Sequence, residues 1–420
     1  MLHKRSLFSC LLLIFFLSNL LPVYALNDSS TINNGAYPVT TGKAVILIEA
    51  SSGRILYGKN IHRHLPPASL TKIMTALLVI EKGDLNKNVR ISSRAAGTPE
   101  SSVWLEAGEK LTRRQLLYAL LLNSANDSAV ALAESVAGSE KSFVQLMNRR
   151  ASQLGMKDSH FLDPYGLHSK DHYTSAYDLA RLSRAAMQSS TFRRVVSTKT
   201  FNIPWASRDY DRLLINHNRL LWKYKYAIGI KTGYTRAAGQ CLVGAAQKGD
   251  LTLIAVTLNA TSVYQDMQQM FDYGFARYHK KTLKTARQIS VTVPVENGQT
   301  NQVQARPEKD LIMAVTEKEA ARLSYSVYPQ KQVTAPVSQD QVLGTCKILI
   351  GGREMGQVEL RACNSVAAKP PWLNRFKLVC LAIVKFILKA VLVIFLCMYL
   401  IRCFNLWRQR RKRRNTRRYR

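Results

Sequence analysis

Ser69 and Lys72 lie three residues apart at the start of an apolar run that is predicted to be helical. At this spacing a hydroxyl and an amine share one face of a helix. A serine hydroxyl is a poor nucleophile unless a nearby base takes its proton, and lysine serves as that base only when it is neutral. Burial or a second cation lowers the pKa of a lysine far enough for this. Taken alone, S-x-x-K is better explained by a lysine beside a helix-capping serine, because both residues are common.

Two further polar motifs occur later in the chain. Asn123–Asp127 lies between two strongly helical runs, where Ser124 could relay a proton and Asn126 offers a donor and an acceptor to a substrate amide. Lys231–Thr235 ends a predicted strand. There a lysine and hydroxyls can bind a carboxylate, and a glycine lets another backbone approach closely. Taken alone, the first motif is better explained as a helix-breaking turn and the second as a polar strand end that enters a turn.

The elements around these motifs predict one mixed sheet packed against a helical lobe. Pro66 and Pro67 precede the Ser69 helix, which is apolar on nearly every side and therefore buried, and Lys82-Gly83 ends it. Capping signals place helices across 112–155 and 175–187. The alternating and β-branched runs predict strands. These strands are Ala44–Glu49, Arg54–Tyr57, Ile228–Lys231, Gln240–Ala246 and Leu251–Leu258, with a last helix at Tyr264–Ala276.

A second, β-rich domain is expected beyond a boundary near 278–284. Short runs in which apolar and polar residues often alternate predict its strands. No predicted helix as long as those of the first domain interrupts them. These runs are Gln288–Val293, Leu311–Val315, Leu323–Val327, Cys346–Ile350 and Gln357–Leu360. We therefore predict a catalytic domain over 43–278 and a β-rich domain over 285–365. Cys346 and Cys363 could form a disulfide in an oxidising compartment, which the sequence leaves open.

The two ends of the chain predict export and membrane anchoring. Residues 1–25 have the basic, apolar and small-residue regions of a signal peptide, followed by a polar lead-in over 26–42. Residues 378–401 are long enough to span a bilayer, although Lys385 and Lys389 interrupt them. The basic tail, 402–420, would then remain cytoplasmic. A helix lying in the membrane surface is the alternative.

The formal net charge of +33 invites a nucleic-acid interpretation. An exported domain rarely meets nucleic acid, and no recognition motif appears, so we expect no nucleic-acid partner. The basic tail favours anionic lipid instead.

The order S-x-x-K, S-x-N, K-T-G on helix, loop and strand is the motif set of penicillin-binding proteins and serine β-lactamases. The chain resembles the D-alanyl-D-alanine carboxypeptidases, the low-molecular-mass penicillin-binding proteins, from about Lys43 to Phe275. The similarity includes Ser101–Leu105, Phe161–Leu167 and His172–Ala176. It implies the penicillin-binding and β-lactamase-like transpeptidase fold, α/β (α+β) in class, with a mixed antiparallel sheet. It also implies the small β domain and the C-terminal anchor.

The resemblance implies a role for each motif residue. Ser69 would form the acyl-enzyme, Lys72 would take its proton, and Ser124 would pass a proton to the leaving D-alanine. Asn126, Lys231 and Thr232 would bind substrate, and the backbone N–H groups of Ser69 and Tyr234 would hold the oxyanion beside Gly233. No metal or other cofactor is required, and His168 and His172 are interpreted as structural.

The expected partners are peptidoglycan stem peptides that end in D-Ala-D-Ala, β-lactam antibiotics as covalent inhibitors, and the cytoplasmic membrane. The expected location is the bacterial inner membrane, with the catalytic domain outside and a function in cell-wall synthesis and cell shape. Three alternatives remain: a β-lactamase, a cross-linking transpeptidase or endopeptidase, and a tethered wall-binding protein with a decayed site. A β-lactamase usually adds a glutamate, whereas 161–167 offers only Asp163. Ala125 also stands where glycine or aspartate is usual.

Overall fold

A computed structural model describes residues 37–167, 169–205 and 207–416 of the chain. It divides into two compact units, with the boundary between His279 and Lys280. The predicted signal peptide, 1–25, and most of the polar lead-in lie outside the described residues.

The first unit contains a long antiparallel sheet and two short hairpins. Its strands are β1 Ala44–Glu49, β2 Ile55–Lys59, β3 Asn88–Arg90, β4 Lys110–Thr112, β5 Thr200–Ile203, β6 Arg212–Ile215, β7 Ala227–Thr235, β8 Gly239–Lys248 and β9 Leu251–Ala260. The sheet order is β2-β1-β9-β8-β7, so the N-terminal hairpin joins the later strands as predicted. Every residue of β1 is buried, which requires cover on both faces of the sheet.

Helices cover this sheet and form the lobe beside it. They are α1 Lys72–Lys82, α2 Ser93–Ala96, α3 Arg113–Leu122, α4 Asn126–Ala137, α5 Glu140–Gln153, α6 Ala176–Ala186, α7 Ser190–Ser197, α8 Leu220–Lys223 and α9 Val263–Arg277. A 3-10 helix, Ala68–Thr71, leads into α1. Residues 72 to 79 of α1 are all buried, so this helix runs through the core as its composition predicts.

Side-chain caps fix where the lobe helices begin. Thr112, Ser139 and Ser175 each accept a hydrogen bond from a backbone N–H in the first turn of α3, α5 and α6. Each such cap stabilises its helix by about 1 kcal/mol. These three boundaries follow from the sequence because they depend only on local chemistry.

The second unit is a β structure followed by one long helix. Its strands are β10 His279–Lys284, β11 Val291–Glu296, β12 Gln302–Pro307, β13 Leu311–Val315, β14 Leu323–Pro329, β15 Val333–Thr334, β16 Val342–Ile350 and β17 Arg353–Ala362. The six-stranded sheet has the order β14-β16-β17-β12-β11-β15, and β10 pairs with β13. The short helix α10 spans Glu317–Ala320, and α11 spans Pro371–Thr416. Cys346 and Cys363 are free thiols, so the disulfide that the sequence left open is not formed.

Within α11, Leu378–Gln409 is long and apolar enough to cross a membrane, by length and composition only. This stretch includes the predicted span, 378–401. Its apolar side chains are exposed throughout.

Candidate active site

Ser69 and Lys72 meet at the junction of the 3-10 helix and α1. Lys72 Nζ lies 3.0 Å from Ser69 Oγ. The same amine donates to Asn126 Oδ1 at 2.8 Å and to the backbone oxygen of Tyr165 at 2.9 Å. The S-x-x-K pair is therefore in hydrogen-bond contact, and the S-x-N motif reaches the same nitrogen.

These three contacts fit a neutral amine that acts as a base. Asn126 Nδ2 donates to the backbone oxygen of Pro99 at 2.9 Å, which fixes Oδ1 as the atom facing Lys72. Asn126 Oδ1 and the Tyr165 oxygen can only accept, so they take both N–H groups of a neutral amine. The lone pair is left for the Ser69 hydroxyl, which can donate its proton along the 3.0 Å contact.

Burial lowers the pKa of Lys72 well below its usual value, and the nearby charge of Lys231 lowers it further. Lys72 is fully buried and Lys231 is 1% exposed. Burial also lowers the pKa of Lys231, to about 7. The pKa values of both lysines are therefore lowered by burial, and that of Lys72 is lowered further because a second cation lies nearby.

The K-T-G motif lies on β7 and packs against the turn that carries Ser69. A Cβ on Gly233 would come within 3.2 Å of the Pro67 oxygen and 3.3 Å of Ala68 Cβ. Glycine therefore permits the close approach that the motif predicts. Lys231 Nζ donates to the backbone oxygen of Thr232 at 3.0 Å, and Tyr234 is exposed at the rim.

Ser124 lies between α3 and α4 with a left-handed backbone, at φ +61°. Its Oγ is buried and has no hydrogen-bond partner among the described residues. A buried polar atom without a partner is uncommon and requires an explanation, such as a catalytic role. Within the same described part, the side chains of Ser124, Thr232 and Tyr234 make no hydrogen bond to Ser69 or Lys72.

Sequence reasoning missed that the loop at 161–167 supplies the Tyr165 oxygen to Lys72. Asp163 accepts hydrogen bonds from the backbone N–H groups of Tyr165, Gly166 and Leu167. Gly166 has φ +94°, and a Cβ there would lie 1.9 Å from the Ala68 oxygen, so only glycine fits. Burial opposes the ionisation of Asp163, but hydrogen bonds, first from His172, outweigh it and lower the Asp163 pKa.

His172 connects this loop to the Ser69 turn, consistent with its interpretation as structural. Its Nδ1 lies 3.5 Å from Asp163 Oδ2, and its Nε2 lies 3.1 Å from Thr71 Oγ1. The other histidine given that interpretation, His168, lies outside the described residues.

A second supporting loop, 99–105, is anchored to the start of α4. The backbone N–H of Asn126 donates to the Ser101 oxygen at 2.7 Å. Asp127 Oδ2 accepts from Ser102 Oγ and from the N–H groups of Val103 and Leu105. The short side chains of Ser101 and Ser102 were part of the resemblance, but only the structure gives Asp127 this function.

Two family models match this chain. The model described as D-alanyl-D-alanine carboxypeptidase matches residues 32–262, and the model of the C-terminal domain of penicillin-binding protein 5 matches 278–368. The chain belongs to the D-alanyl-D-alanine carboxypeptidase family. It is therefore a serine-type hydrolase, a D-alanyl-D-alanine carboxypeptidase of the penicillin-binding proteins.

Curated relatives and solved structures agree with this assignment. The Bacillus subtilis D-alanyl-D-alanine carboxypeptidase DacF is 32% identical over 87% of this chain and 94% of its own. The Escherichia coli carboxypeptidase DacC is 30% identical over 78% of this chain and 85% of its own. Penicillin-binding protein 5 of Haemophilus influenzae has a TM-score of 0.67 at 26% identity, covering 79% of this chain and 99% of that one. The family, the fold and the hydrolase class predicted from the sequence are confirmed.

Proposed function

We propose that Ser69 is the nucleophile and Lys72 the base that activates it. Ser69 Oγ attacks the carbonyl carbon between the two D-alanines, and its proton passes to Lys72 Nζ. The carrying observation is that Lys72 Nζ lies 3.0 Å from Ser69 Oγ, while Asn126 Oδ1 and the Tyr165 oxygen, which can only accept, contact the same nitrogen. The lowered Lys72 pKa supports the same role, because it favours the neutral amine that a base requires.

The other motif residues complete the reaction. The C–N bond breaks as the leaving D-alanine amine takes a proton, for which the unpartnered Ser124 hydroxyl is the relay. Asn126 holds the substrate amide, while Lys231 and Thr232 bind the terminal carboxylate. The backbone N–H groups of Ser69 and Tyr234 stabilise the developing oxyanion, and Gly233 allows β7 to lie close enough for this. Water then hydrolyses the ester on Ser69.

The substrates would be peptidoglycan stem peptides that end in D-Ala-D-Ala, and β-lactam antibiotics would acylate the same serine. Two observations support this: the matched family model carries the D-alanyl-D-alanine name, and the second model comes from a penicillin-binding protein. The cellular function would be cell-wall synthesis and remodelling, with an effect on cell shape.

For the whole chain we propose a signal peptide over 1–25, a catalytic domain over 43–278, a β-rich domain over 285–365 and an anchor over 378–401. The exposed apolar face of α11 supports anchoring in the bacterial inner membrane, with the tail 402–420 in the cytoplasm. A reporter fused after Arg420 should be active only in the cytoplasm. Activity of that reporter outside the membrane would refute this orientation.

Labelled penicillin tests the catalytic assignment. The full-length protein in detergent should carry one adduct, which mass spectrometry places on Ser69. It should also release D-alanine from a pentapeptide that ends in D-Ala-D-Ala. Ser69→Ala should lose both activities, whereas Ser142→Ala, on the surface of α5, should keep them. An adduct that survives in Ser69→Ala would refute the assignment.

A further inference from the structure

The 99–105 loop holds two residues in the left-handed region of the backbone although neither is glycine. Glu100 has φ +67° and Trp104 has φ +55°. Such a conformation costs a non-glycine residue about 1–2 kcal/mol. It persists only where surrounding contacts enforce it. Here the enforcing contacts are the hydrogen bonds that Asn126 and Asp127 make with the loop.

Glu100 is exposed and lies between Pro99 and Ser101, whose backbone oxygens both accept hydrogen bonds from Asn126. Among the residues described, none makes a hydrogen bond or ion pair with its carboxylate. Its charge nevertheless acts on the Lys72 amine: burial and Lys231 lower the pKa of that amine, whereas Asp163 and Glu100 oppose them. The carboxylate therefore lies near the nucleophile, in a chain whose formal net charge is +33.

The other acidic groups near Lys72 are already occupied. Asp127 is fully buried and accepts three hydrogen bonds from the 99–105 loop, and Asp163 accepts three from its own loop. Among these carboxylates, only Glu100 is available to a ligand. Trp104 lies on the same loop and is 69% exposed, and an indole face attracts cations.

We propose that Glu100 recognises a cationic side chain on the substrate residue that precedes D-Ala-D-Ala. This inference depends on the proposed function, because it places a peptide between Lys231 and Asn126. Asn126 also donates hydrogen bonds to the backbone oxygens of Pro99 and Ser101. In a peptide that Asn126 holds with its scissile carbonyl at Ser69, the residue that precedes D-Ala-D-Ala therefore lies near Glu100.

Two peptides that differ by one acetyl group test this inference. Both end in lysyl-D-Ala-D-Ala. The side-chain ε-amine of the lysine is free in one peptide and acetylated in the other. We expect the wild-type chain to show a kcat/KM about threefold higher for the free amine, within the range of an exposed charge pair. Glu100→Gln should reduce the ratio to about one. Glu354→Gln, a charge-matched control on the surface of β17, should keep it.

Because the ratio compares two substrates on one enzyme, general damage to the site cancels. A wild-type ratio near one would overturn the proposal. So would a Glu100→Gln variant that slows both peptides equally, since that result would give Glu100 a role on Lys72 rather than on substrate. Release of D-alanine from neither peptide would instead refute the proposed function.

Glu100→Gly is a second variant, which removes the strain of the left-handed backbone at this position. We expect its Tm to rise by about 2–4 °C while the preference for the free amine disappears. A Tm that does not rise would contradict the strained loop. A preference that survives in Glu100→Gly would overturn the recognition role.

Discussion

The two units of this chain differ in what they bury. In the described residues, every buried polar or charged side chain lies between Glu49 and Asp266, in the first unit. The core of the second unit is apolar apart from the thiol of Cys346. Burying a charge costs several kcal/mol unless it is compensated, so the difference is not incidental.

The buried charges of the first unit have two kinds of surroundings. Arg212 on β6 and Glu109, just before β4, form a closed ion pair at 2.6 Å that ties the two short hairpins together. In the part of the chain that the structure describes, no carboxylate contacts Lys72 or Lys231, and burial lowers both of their pKa values. The Arg212–Glu109 pair is thus compensated, whereas the two lysines are kept in an unfavourable environment that suits a reaction. Among the described residues, the second unit contains neither kind.

The largest effect should come from removing the base. Lys72→Met keeps a long buried side chain but has no nitrogen, so acylation by labelled penicillin should slow by about 10³-fold. The melting curve of the second unit should not change. Acylation at the wild-type rate would show that another group activates Ser69.

A smaller effect, on stability alone, should come from the second unit. Leu360 is fully buried in β17, and Leu360→Ala should destabilise its unit by about 2–5 kcal/mol, measured by denaturant unfolding. Penicillin acylation at temperatures where the first unit remains folded should be unchanged. Leu360→Met is the conservative control and should cost less than about 1.5 kcal/mol. A loss of acylation in parallel with stability would remove the distinction between the units.

The smallest effect is a pH dependence from Lys231. Its pKa is about 7 because of burial, so raising the pH through that value removes the positive charge that binds the substrate carboxylate. Above pH 7, kcat/KM for the peptide should fall by about tenfold per pH unit. The fall should appear mainly in KM, because bound carboxylate favours the protonated form. Lys231→Ala should lower kcat/KM at pH 7 and abolish this part of the pH profile, and a flat wild-type profile from pH 7 to 9 would contradict the role.

The sequence predicted what depends on local chemistry or on short motifs. The hairpin of β1 and β2, the N-caps Thr112 and Ser139, the helix start near Ser175 and the three motif segments all lie where the residue types indicate. Strand β12 was missed because its buried positions are Val303, Ala305 and Pro307, too small and too few to give an apolar run.

The supporting contacts of the site could not be predicted for a different reason. The Tyr165 oxygen that accepts from Lys72 is a backbone atom, which any residue would supply, so no residue type marks it. Asp127 looks like an ordinary acidic residue in a first helical turn, and its partners are more than twenty positions away in the chain. Such contacts depend on tertiary packing rather than on neighbours in sequence.

The two oxygen acceptors around Lys72 would also affect the step that follows the proposed attack by Ser69. Once the amine has gained the serine proton it carries three N–H groups, but Asn126 Oδ1 and the Tyr165 oxygen still satisfy only two. In the proposed mechanism the third points at Ser69 Oγ, which by then is bonded to the substrate carbon, and Lys72 is fully buried. The cation is then poorly compensated, so its proton would pass to the leaving D-alanine amine as the C–N bond breaks.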